Sequence, residues 1–85
     1  MSLVLLDLKP VPDAYGFIYG RAQRGNDVFD VNVLPPKSQW RGQFKLDGYA
    51  PDEHDWILYV DGEEVARLRE RTEVEGAVAA ALKGK

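Results

Sequence analysis

The chain reads as one α+β domain: a strongly bent antiparallel sheet of five or six strands, with partial closure into a barrel as a variant, and one C-terminal helix. Three observations predict this. Up to Arg71 apolar residues recur largely with a period of two, the spacing of strands that bury one face. Turn signals of the Gly-Asn and Asp-Gly type separate neighbouring segments by short links, which favours hairpins and therefore antiparallel pairing. After Thr72 the apolar spacing changes to that of a helix. The 85 residues constitute a single domain, 1–85. A chain this short buries only about 60 to 65% of its unfolded surface, and self-association is one way to enlarge such a core.

Each element follows from its own residues. Ser2 to Leu8 is an apolar run that Pro10 and Pro12 close, and it reads as the first strand. From Ala14 to Arg21, Tyr15, Phe17 and Tyr19 alternate with Gly16, Ile18 and Gly20, so three rings fall on one face. Gly25-Asn26 then turns the chain into Val28 to Leu34, which Pro35-Pro36 ends. Trp40, Gly42, Phe44 and Leu46 alternate with Arg41, Gln43 and Lys45, the pattern of a further strand. Trp56 to Val60 and Glu63 to Arg71 flank Asp61-Gly62, whose tolerance of positive φ predicts a type I′ hairpin. Thr72 and Glu75 have capping-box spacing, and Val74, Ala77, Val78, Ala81 and Leu82 form an apolar helical stripe.

Composition narrows the function classes. The chain has no cysteine and one histidine, which removes disulfides, thiolate chemistry and most zinc sites and suits a reducing compartment. No run approaches the roughly 20 apolar residues that cross a bilayer, so no membrane contact and a cytoplasmic location are expected. The net charge of −3 is unevenly spread, with seven acidic and no basic residues in 46–66, and six basic against three acidic in 9–45. Folding either separates these blocks into oppositely charged faces that steer a partner or interleaves them until they cancel.

Between residues 5 and 33 the chain resembles the cold-shock domain, a small OB-type barrel. The resemblance rests on Tyr15-Gly16-Phe17-Ile18, similar to the first ribonucleoprotein motif of that family, and Asp27-Val28-Phe29, similar to the start of the second. Asp13 and Ala14 stand where the motif has lysine and glycine, Leu8 where it has tryptophan, and Val31 where it has histidine. The resemblance implies single-stranded DNA or RNA as ligand, with bases stacked on Tyr15, Phe17 and Phe29 and phosphates met by Lys9, Arg21 and Arg24. The alternation alone supports another reading. Phe29, Val31 and Val33 share one apolar face, and an aromatic stripe on a strand is commonly sheet core. Gly16 and Gly20 then mark the close approach of another element, such as the alanine-rich helix.

Other chemistry-bearing residues are sparse. Asp52-Glu53-His54-Asp55 has the vocabulary of a metal site but not its spacing, and reads as a solvated loop. Arg67, Arg69 and Arg71 alternate on the predicted last strand and are candidates for protein interaction, or for ion pairs with Asp61, Glu73 or Glu75. Trp40 and Trp56 are expected in the core. No catalytic residue, cofactor or metal site is assigned. The expected function is therefore a small non-enzymatic binding module that engages a protein partner or forms a homodimer, with single-stranded nucleic-acid binding as the alternative.

Overall fold

Among the described residues, segments rich in branched and aromatic residues, cut by turn residues, fold into five strands followed by one helix. A computed structural model describes residues 4–10, 16–39, 49 and 51–83. The strands are β1 (Val4–Pro10), β2 (Ile18–Arg24), β3 (Asp27–Leu34), β4 (Trp56–Val60) and β5 (Glu63–Leu68), and the helix α1 is Val74–Leu82. They form one antiparallel sheet in the order β1-β2-β3-β4-β5. The α+β class is as the sequence predicts. Among the described residues the sheet does not close into a barrel, and β1 and β5 are its two edges. The expected strand from Trp40 to Leu46 lies outside the described residues.

Strand ends differ from expectation for local reasons. β1 continues past Leu8 to Pro10, which stands opposite Ile18, because an edge strand accepts a proline whose missing N–H would face outward. β2 begins at Ile18 rather than Ala14 and runs to Arg24. Gly16 lies just before it with φ of 102°. β5 stops at Leu68, and a short 3-10 turn at Arg71–Glu73 leads into the helix. The Asp61-Gly62 turn has φ of 52° and 83°, the doubly positive geometry of a type I′ hairpin. Its Asp61 carboxylate accepts the Asp30 amide at 2.9 Å, fixing the turn to β3.

Side chains divide between the two faces of the sheet. One face carries Ile18, Ala22, Val31, Val33, Trp56, Leu58 and Val60, and α1 covers it with Val74, Val78 and Leu82, all fully buried. Valine and alanine on the helix permit a close approach to the sheet, and burial of those side chains stabilises a helix too short to persist alone. The helix packs over β4 and β5. Val4, Leu6 and Leu8 on β1 are only half-buried at the margin of this core.

The opposite face is covered at one end. There Phe17, Leu34, Ile57 and Tyr59 form a second buried cluster, with Tyr49 packed on it. Tyr49 meets the Tyr59 ring edge-on at 4.5 Å, and its hydroxyl accepts from the Asn32 amide at 3.3 Å. Gly20 marks a close approach to β1 rather than to the helix. A Cβ there would run into the Asp7 carbonyl, so glycine is what lets the two strands pair at this point. Gly16 faces the rings of Pro35 and Trp56.

Candidate functional site

The uncovered half of that second face is the main candidate surface. Cross-strand register places Leu5 beside Gln23 and Gln23 beside Val28, then Asp7 beside Arg21 and Arg21 beside Asp30, then Lys9 beside Tyr19 and Tyr19 beside Asn32. Leu5, Tyr19 and Val28 are 57%, 48% and 54% exposed, unusual for large apolar side chains in so small a molecule. The middle row alternates in sign. Arg21 lies between two carboxylates and reaches Asp30 at 3.8 Å, with both side chains about three-quarters exposed. Asp7, Lys9, Tyr19, Gly20, Arg21 and Asp30 line a shallow recess there.

The residues proposed to bind nucleic acid are not gathered on this surface. Lys9 and Arg21 lie on it. Phe17 is placed near it by the two-residue period but is 3% exposed, enclosed by Leu34, Ile57 and Tyr59. Phe29 is on the other face, half-buried against the helix-side core with Val31 and Val33, because its neighbours Asp30 and Asn32 take the outward positions. Tyr15 lies outside the described residues, and so does Trp40. Among the described residues, Tyr19 is the ring left exposed on this face, a role that its place in the aromatic stripe alone did not distinguish.

Arg24 has a structural position that its sequence context did not signal. Its guanidinium lies 5.8 Å from the Phe29 ring centroid and donates to the carbonyl of Leu82, the last residue of α1. A helix leaves its final carbonyls without intrahelical partners and carries partial negative charge there, so a cation is favoured at this end. Arg24 therefore ties β2 to the helix and is turned away from the face that holds Lys9 and Arg21.

The arginine stripe is also divided. Arg67 is on β5, where it pairs with Asp52 at 2.6 Å and Glu64 at 3.1 Å. Arg71 belongs to the 3-10 turn and pairs with Glu75 at 3.1 Å. Arg69, between them, borders a shallow recess with Asp52, His54 and Asp55. Because β5 ends at Leu68, the three do not share a strand face. Among the described residues Asp61 accepts the Asp30 amide of β3 and pairs with no arginine. The acidic segment thus meets basic groups locally at Arg67.

Asp52 organises the acidic loop. Its carboxylate accepts the amides of His54 and Asp55 at 2.9 and 3.0 Å, and these bonds, with Arg67 nearby, hold it below the usual carboxylate range. Hydrogen bonding to Glu64 raises Arg67 further. At the helix entrance Glu73, not Glu75, reaches back, accepting the amides of Arg69 and Glu70 at 2.9 Å each. The 3-10 turn starts the helical path early, which moves the capping spacing from Thr72–Glu75 to Glu70–Glu73. Glu75 faces Arg71 and is held low by a backbone amide and by that arginine.

Comparison with known proteins yields no match among family models, curated proteins or solved structures. Among the described residues no helix is long and apolar enough to cross a membrane.

Proposed function

We propose that the chain is a small non-enzymatic binding module that engages another protein chain through the open face of β1, β2 and β3. The observation that carries this reading is the pairing of exposed Leu5, Tyr19 and Val28 with a charge row, Asp7, Arg21 and Asp30, that alternates in sign. Apolar side chains beside balanced charges suit a protein surface, where burial supplies affinity and charges set orientation. A phosphate backbone approaching Arg21 would meet a carboxylate on either side.

Single-stranded nucleic acid is the second reading, favoured by Lys9, Tyr19 and Arg21 standing on one face. Two measurements separate the readings. Cross-linking and co-purification from the source cell are expected to retain a partner with the wild type and lose it with Tyr19→Ser/Val28→Ser, while the far-UV spectrum stays unchanged. Oligonucleotide titration at low salt, followed by tryptophan fluorescence, is expected to show no saturable response. Saturable binding that weakens with salt and disappears in Tyr19→Ser/Val28→Ser would overturn the protein reading in favour of the nucleic acid.

A further inference from the structure

We infer that a second copy of this chain pairs antiparallel along the free edge of β1, giving one sheet continuous across both copies. This edge is a second surface, distinct from the open face that holds Tyr19 and Val28, and its pairing does not depend on that face. Among the described residues nothing pairs with the outer side of β1.

The hydrogen-bonding parity of that edge can be read from two residues. Pro10 stands in the ladder opposite Ile18 without an N–H, which a strand tolerates where the nitrogen faces away from its neighbour. Amides alternate sides along a strand, so those of Leu8, Leu6 and Val4 face outward as well. Asp7, of the other parity, presses its carbonyl toward Gly20 on β2. The outward backbone groups therefore belong to residues whose side chains, Val4, Leu6 and Leu8, lie half-buried on the helix-side face.

This edge is complementary to itself. A two-fold axis at Leu6 sets Leu6 opposite its own symmetry mate and Val4 opposite Leu8 of the second copy. All three outward residues then bond, and their side chains merge into one apolar row. An axis at Asp7 would oppose two carboxylates, a destabilising cross-strand pair. The other edge is guarded. β5 carries exposed Glu63, Glu64 and Arg67, with an irregular register against Leu58 and Tyr59, features that discourage strand addition. With one open edge and one guarded edge, pairing closes at two copies instead of growing into a fibre.

Sedimentation over a concentration series, combined with amide exchange read by NMR, tests this. The wild type is expected to double in mass as concentration rises, while exchange at Leu6 and Leu8 slows in parallel. Leu6→Pro removes an outward N–H and is expected to remain monomeric with an unchanged far-UV spectrum. Should that variant fail to fold, the concentration dependence of the wild-type Leu6 and Leu8 amides still decides. A wild type that stays monomeric at every concentration would overturn the inference. So would a dimer in which those two amides exchange at the monomer rate. A monomer that nevertheless co-purifies with a different protein, and releases it on Tyr19→Ser/Val28→Ser, would overturn the second copy alone and leave the binding-module reading standing.

Discussion

Replacing Phe17 by alanine separates a buried ring from a base-stacking platform. Phe17 is 3% exposed and touches Leu34, Ile57 and Tyr59, so truncation loses nearly all the transfer free energy of a buried phenylalanine, about 1.5 to 3 kcal/mol. The cavity adds roughly 1 to 2 kcal/mol, giving about 2.5 to 5 kcal/mol in total, which brackets the known range for such truncations. Stability for a chain of this length is on the order of 4 to 13 kcal/mol, so the loss is a large fraction of the whole. Urea unfolding followed by tryptophan fluorescence, with an m-value of about 1 to 1.5 kcal/mol/M, converts it to a fall in midpoint of about 2 to 5 M. Phe17→Leu largely refills the site and is expected to cost under about 1.5 kcal/mol, which keeps the measurement possible if the alanine variant is unfolded. A cost below about 1 kcal/mol for Phe17→Ala would refute the placement of this ring in the core and restore it as a candidate for stacking.

Other substitutions probe the strand packing and the acidic loop. Gly20→Ala drives a methyl group into the Asp7 carbonyl and is expected to lower stability by about 1 to 3 kcal/mol, with loss of amide protection concentrated in β1. Gly76→Ala, in open space on the exposed side of α1, is the matched control and is expected to gain about 0.5 to 1 kcal/mol. Equal effects of the two in thermal unfolding would contradict the close approach of β1 and β2. Asp52 is shifted down in the folded state, so its contribution is present above the unfolded carboxylate value of about 3.9 and is lost as pH falls through the folded one. The Tm difference between wild type and Asp52→Asn is therefore expected to be constant near neutrality and to vanish in acid; a difference that persists in acid would contradict the ionic role.

Local signals in the sequence carried the fold well where one residue type answers to one geometry. Asp61-Gly62 is such a place, because few other pairs accept two positive φ values in succession. The helical stripe is another: Val74, Val78 and Leu82 are all fully buried on the sheet. What period alone did not determine is how much of each face is covered. Phe17 and Tyr19 are two residues apart near the same face, yet one is enclosed and the other is 48% exposed, because the second cluster covers only one end of the sheet. Arg24 shows a further kind of gap. Its partner carbonyl at Leu82 lies 58 residues away, a relation that no local pattern contains. The arginine stripe depended on a strand end, and three residues of difference there were enough to send Arg67 and Arg71 to different partners.

The placement of charge makes the two edges of the sheet unlike. On the helix-side half of the sheet, β5 and the loop before β4 pair Arg67 with Asp52 and Glu64, so that edge presents solvated ions to any approaching strand. On the far half, β1 keeps its charges at Asp7 and Lys9 and leaves Val4, Leu5 and Leu6 together at the other end. The cost of covering the β1 edge is therefore small, since few hydrated groups must be stripped, and the gain includes apolar surface on both faces of the strand. Covering β5 would instead break ion pairs and strand charged side chains. That asymmetry favours strand addition at β1 over β5, and in the proposed dimer it would stop the pairing at two copies.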